Sequence, residues 1–225
     1  MQELRDFYSE KGAEISQRLQ EFSKLRGASE ERLFYELCFC IMAVQTSGVR
    51  SWKVAENLRE NKFFEQGQSP EGFLREGYIR FHNNKSKHLL EMRSKFPEIL
   101  GVLRGASRKN GAGSTELRAQ GKERGAGSIE EMREWLVQNV KGVGWKEASH
   151  FLRNIGRTRE LAILDRHILR NMNRFGFANG IPKSLTKNKY LELEQNFIKM
   201  AHKFEMKPAE LDLLLWARET GFVFK

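Results

Sequence analysis

Val140-Lys141-Gly142-Val143-Gly144-Trp145-Lys146-Glu147-Ala148, followed downstream by Leu164-Asp165-Arg166-His167, is the stretch whose reading decides the fold. Gly142 and Gly144 bracket one apolar residue just before a helical pattern of Ala148, Phe151, Leu152 and Ile155. Two glycines there allow a tight hairpin whose backbone N–H groups point outward at the start of a helix. The positive end of the helix dipole adds to those amides, so the hairpin is suited to hold a phosphate. The local alternative is a plain corner between two helices, with Lys146 a solvated surface charge.

Composition narrows the partners. The 225 residues carry a formal charge of +10, with 40% hydrophobic and 30% charged residues. That is enough chain to bury a core, and the charge calls for a polyanion. No apolar run approaches a membrane-spanning length, which favours nucleic acid over a membrane. The opening Met1-Gln2-Glu3-Leu4-Arg5-Asp6 is charged and lacks the apolar core of a secretory leader, so a cytoplasmic location is expected. Cys38 and Cys40, two apart in an apolar helical run, fall on different faces and read as small core residues rather than a disulfide or zinc site.

Four prolines and few alternating β-branched runs predict an all-α protein. A stripe of Leu4, Phe7, Ile15, Leu19, Phe22 and Leu25 predicts a helix over 3–25. Ser29, followed by Glu30 and Glu31, opens a second helix whose body, Leu33 to Val44, is nearly all apolar. It ends in Gln45-Thr46-Ser47-Gly48, which by itself reads as a cap and turn. Short helices are predicted over 51–60 and 70–77. Ile79-Arg80-Phe81-His82 then precedes a stripe of Leu89, Leu90 and Met92, a helix start with a basic face. Residues 101–127 read as a flexible insertion rich in glycine and basic residues, a tolerated loop or a contact for DNA phosphates. Ser128-Ile129-Glu130-Glu131 has the form of a capping box. Further helices are predicted after Asp165, over 186–204 and from Pro208.

The Gly142-Val143-Gly144 hairpin, Lys146 and Asp165 together resemble the helix-hairpin-helix, Gly/Pro-Asp superfamily of base-excision DNA glycosylases, in particular its bifunctional branch with a lysine nucleophile. The likeness runs over most of the chain and implies a two-lobed helical fold with the site in the cleft between lobes. The lobes expected are residues 30–156 centrally and 1–29 with 157–225 on the other side. Endonuclease III-like members often carry a four-cysteine iron–sulfur cluster, and this chain has no cysteine after Cys40.

The resemblance implies specific roles. Lys146 attacks the sugar C1′ and becomes a Schiff base, and Asp165 stabilises the developing positive charge. Neither step calls for a metal or a cofactor. The helix terminus and partial burial are expected to lower the Lys146 pKa, since only the neutral amine attacks carbon. Asp165 is also placed to cap the following helix. Gly142, Val143, Gly144 and His167 would bind the DNA backbone. Gln45 would fill the gap left by the extruded base, and Phe81 would pack against that base. Trp216, otherwise a core residue, lies one helical turn after Asp212, so both project from one face. Asp212 can accept from the donors on a guanine edge, or pair with Lys or Arg. His150, one turn after Lys146, would line the same pocket. Lys225 matches the lysine in which archaeal-type (type 2) 8-oxoguanine DNA glycosylase/AP lyases end, helping to recognise the oxidised purine. The partner implied is double-stranded DNA containing 8-oxoguanine, met by a monomer. An endonuclease III-like enzyme for oxidised pyrimidines and a non-catalytic helix-hairpin-helix DNA-binding module are the alternatives.

Overall fold

Residues 2–105 and 128–225 are described by the computed structural model of the chain, and all regular structure among them is helical. In order come α1 (Gln2–Lys24), a 3-10 turn (Leu25–Gly27), α2 (Glu30–Met42), α3 (Gly48–Glu60), α4 (Phe63–Gln66), α5 (Glu71–Glu76), α6 (His82–Leu103), α7 (Ile129–Asn139), α8 (Trp145–Asn154), α9 (Arg166–Arg174), α10 (Lys187–Lys203) and α11 (Pro208–Thr220). The expected insertion begins later than its composition suggests. Ile99, Leu100, Val102 and Leu103 are buried, so α6 continues through Gly101 to Leu103. The rest of that stretch, 106–127, lies outside the described residues.

Helix starts follow local chemistry. The Ser29 hydroxyl accepts from the Arg32 N–H at 3.2 Å. Ser128 and Glu131 form the reciprocal box that opens α7. The Asp165 carboxylate accepts from the Ile168 N–H at 2.8 Å and so caps α9. A cap of this kind is worth about 1 kcal/mol.

Two hydrophobic cores result. One is built on α2, which is buried on every side from Leu33 to Met42, with α3, α6, α7 and α8 around it. Phe34 lies at its centre, against the rings of Tyr35, Phe63, Phe64 and Phe96. The other gathers α1 with α9, α10 and α11. The chain therefore begins in the second core, builds the first, and returns.

The seam between them is polar. Arg133 of α7 donates to both oxygens of Glu194 on α10, at 2.6 and 2.9 Å. Arg153 of α8 pairs with Asp212 of α11 and lies over the Phe22 ring of α1. The Tyr190 hydroxyl donates to the Ala162 carbonyl at 2.8 Å. Because these groups are buried, each depends on its partner far more than a surface pair would. The seam thus fixes the relative placement of α8 and α9, whose N-termini carry Lys146 and Asp165.

Candidate active site

The hairpin after α7 is tightly constrained. Val140 leaves the helix in extended form, and the Val143 N–H donates back to its carbonyl at 3.1 Å. Gly142 has φ of +83°, and a Cβ there would lie 2.6 Å from Nδ1 of His88. Val143 is buried in the α2 core and anchors the turn from below. Gly144 caps α8, and its N–H donates to Glu147 Oε2 at 3.1 Å.

This corrects the expectation of outward-pointing hairpin amides. The amides of Val143 and Gly144 are taken within the protein, and those of the first turn of α8 have no intrahelical acceptor.

Lys146 projects from that turn with its side chain 23% exposed. Its ammonium lies 2.9 Å from Glu147 Oε1. Burial works to lower its pKa, but the Glu147 carboxylate, with help from Asp165, outweighs burial and holds it above the ordinary lysine value. The expected depression is therefore reversed. Helix terminus and burial both favour the neutral amine, yet a contacting carboxylate is the stronger effect.

Asp165 is fixed at the α9 cap, and its carboxylate is one of the charges that act on Lys146. The same ammonium acts on Lys85, His150 and Asp212, which places it at the focus of a cluster drawn from α6, α8 and α11. His150 is buried and its pKa lies well below the usual value, first through burial and then through neighbouring Arg153 and Lys146. Its Nε2 is buried with no hydrogen-bond partner among the described residues.

Trp216 is only partly buried and is no interior tryptophan. It packs edge-on against Phe222 at 5.3 Å and tilted against Phe224 at 6.0 Å. Phe224 leads to Phe39 and Phe39 to His150, so Trp216 and His150 belong to one aromatic wall.

The Lys225 ammonium is bound to both oxygens of Glu36, at 2.9 and 2.6 Å, and lies 3.4 Å above the Trp52 ring. Its side chain serves as an anchor into α2. Asp212 takes the second of its two sequence readings, since its carboxylate is paired with Arg153. Burial nevertheless pushes its pKa up to about 7.

The other expected residues lie on the turn after α2, the loop before α6 and the first turn of α9. Gln45 is exposed on the turn after α2, in the left-handed region with φ of 51°. That turn is held by Lys85, whose ammonium donates to the carbonyls of Met42 and Val44 and to the Thr46 hydroxyl. Phe81 is also left-handed and 55% exposed, with the Arg80 guanidinium over its ring. The Arg80 N–H donates to Thr46 Oγ1 at 3.2 Å, which joins the Phe81 loop to the Gln45 turn. His167 lies on α9 with its Nδ1 3.5 Å from Glu219.

Sequence reasoning missed Glu147, Glu36, Arg153, Phe39 and Phe224. One signal was available: Glu36 is a lone carboxylate inside the apolar run of α2, and a buried charge requires a partner.

Fold and site together define a helix-hairpin-helix protein with a lysine in the first turn after the hairpin and an aspartate at the cap of α9, set between two helical cores. A family model described as 8-oxoguanine DNA glycosylase matches residues 15–206. The 8-oxoguanine DNA glycosylase/AP lyase of Fusobacterium nucleatum is 35% identical over 224 residues, 99% of this chain and 96% of the relative. That of Methanocaldococcus jannaschii is 32% identical, covering 94% and 91%. The crystal structure of the Thermotoga maritima 8-oxoguanine DNA glycosylase superposes with a TM-score of 0.83 at 32% identity, over 100% of this chain and 97% of that one. The M. jannaschii enzyme in complex with a 15mer DNA containing 8-oxoguanine gives 0.81 at 28% identity, over 100% of both chains. The chain belongs to the 8-oxoguanine DNA glycosylase family.

Proposed function

We propose that this protein is a bifunctional DNA glycosylase/AP lyase that excises 8-oxoguanine from duplex DNA. The observation that carries the reading is that Lys146 and Asp165 stand at the N-termini of two helices, near enough for the Asp165 charge to act on the amine, with the Trp216–His150 wall alongside. Attack at C1′ is sterically blocked inside a duplex, so the nucleotide must be flipped out first. The neutral Lys146 amine then forms a bond to C1′ as the C1′–N9 bond breaks and its electron pair leaves with the base. Asp165 stabilises the cationic sugar. Ring opening gives a Schiff base, and β-elimination of the 3′ phosphate nicks the strand.

The remaining roles follow from the family resemblance. Gly142, Val143 and Gly144, with the first turn of α8 and His167, would hold the DNA backbone. Trp216, His150, Phe81, Lys225 and Asp212 would enclose the base, Asp212 using the oxygen that Arg153 leaves free. Gln45 would enter the gap in the stack. Lobes of 30–156 and of 1–29 with 157–225 would close on the duplex, the protein acting as a cytoplasmic monomer. No helix among the described residues is long and apolar enough to cross a membrane.

A panel of duplexes under single-turnover conditions tests the substrate. Release of 8-oxoguanine much faster than of oxidised pyrimidines is expected. The reverse order would make the protein endonuclease III-like, and salt-sensitive binding without any release would make it a binding module.

A further inference from the structure

The Glu147 carboxylate occupies a position that the catalytic reading leaves unexplained. One oxygen takes the Gly144 N–H at 3.1 Å and the other takes the Lys146 ammonium at 2.9 Å. The residue is buried, and a Cβ on residue 144 would stand 3.0 Å from Oε2, so the glycine admits the carboxylate to this spot. A carboxylate at the third helical position commonly reaches back to the capping N–H. Here the same group also grips the nucleophile.

We propose that Glu147 is a positioning residue that clamps Lys146 to the hairpin as an ammonium ion, and that a DNA backbone phosphate opens the clamp by competing for the Gly144 amide. The inference rests on Lys146 being the nucleophile. Phosphate and carboxylate share a sign and seek the same donor, so a strand docked on the hairpin displaces Glu147. The amine then loses its nearest counter-charge, and its proton passes to solvent before attack.

The surroundings support this order of events. Facing Lys146 are Glu147 and His150 on α8, Asp165 at the start of α9, Cys40 on α2, Lys85 on α6 and Asp212 on α11. Glu147 is the largest influence holding the proton, and Asp165 is a smaller one. Lys85 is itself cationic, which favours a neutral amine once Glu147 has moved.

Glu147→Gln keeps an acceptor for the Gly144 N–H and removes the charge, and thermal unfolding confirms that the variant folds. The first readout is the second-order rate of borohydride trapping on a duplex with an abasic site, with enzyme below saturation so that the profile reports the free enzyme, from about pH 5 to about pH 9. The rising acid limb is expected to move down by about one pH unit or more, a reaction about tenfold faster along it. A profile that superposes on the wild type, or one that falls equally at every pH, overturns the clamp.

The second readout is anisotropy with an undamaged duplex, where Glu147→Ala, which frees the Gly144 N–H as well as removing the charge, is expected to bind several-fold more tightly than Glu147→Gln. Equal or weaker binding overturns the competition for the amide. Trapping that persists in Lys146→Gln would instead refute the catalytic reading itself, whatever Glu147 does.

Discussion

Glu194→Gln isolates the interaction on which the placement of Asp165 depends. Arg133 and Glu194 are each 3% exposed, and the carboxylate also accepts from the Ala162 N–H at 3.1 Å. Ala162 belongs to the extended segment that leads into Asp165, so one carboxylate ties α7 and α10 to the approach to the site. The glutamine keeps an oxygen for Ala162 but turns an NH2 group toward a guanidinium left without its counter-charge. Breaking a buried pair by neutralising one partner costs about 3–5 kcal/mol. For a chain of this size each kcal/mol moves Tm by about 2–4 °C, so a fall of roughly 10 °C is expected.

The double variant Arg133→Met/Glu194→Leu removes both charges, orphans the Ala162 N–H and takes the Arg133 donor from Ser149 Oγ, which keeps its own bond to the Trp145 carbonyl. That leaves a cost of about 1–3 kcal/mol, less than the single variant. Urea unfolding of wild type, Arg133→Met, Glu194→Leu and the double variant closes the cycle, with Glu194→Gln measured beside it. A loss below about 1 kcal/mol in Glu194→Gln, or a double variant worse than either single one, would refute the buried-charge reasoning.

The other predictions are separable. Asp165→Asn keeps an oxygen for the Ile168 N–H, so its stability is expected to match the wild type. It should bind lesion DNA yet release base at least about a hundredfold more slowly, and near-normal release would remove Asp165 from the charge-stabilising role. Gly142→Ala must hold a Cβ at φ of +83° against His88, and is expected to lose at least about 1–2 kcal/mol in denaturant. Loss of a few tenths of a kcal/mol would mean that the hairpin does not need glycine there.

Lys85 carries a pH signature. Burial lowers its pKa from 10.5 to about 8. Between those values the unfolded chain binds the extra proton, so the stability of the wild type relative to Lys85→Met should rise as pH increases through that window. Unfolding curves at both ends of the window measure the difference, and a flat or falling one contradicts the assignment.

The pattern of what the sequence disclosed is physical. Caps are local, so Ser29, Ser128 with Glu131, and Asp165 were readable from residue type and spacing within one turn. The Gly142 corner was readable for the same reason. Long-range partners were not: Glu36 with Lys225, Arg153 with Asp212 and Arg133 with Glu194 pair residues from distant segments. Periodicity says which face is buried and nothing about which charge waits across it. The Lys146 pKa failed differently. Burial and the helix terminus are visible from residue type and position, whereas the return of the adjacent carboxylate onto the amine is a side-chain conformation that spacing does not specify. The end of α6 was missed because Gly101 and Gly105 looked like loop residues, whereas the apolar positions between and before them kept the helix intact.

The central claim is that a single amine reacts with the lesion-bearing sugar, and peptide mapping of the borohydride-trapped complex tests it most directly. With a duplex containing 8-oxoguanine, the deoxyribose remnant is expected on the peptide containing Lys146, and no adduct is expected with Lys146→Gln. A remnant on another lysine, or base release with no covalent complex at any pH, would contradict it.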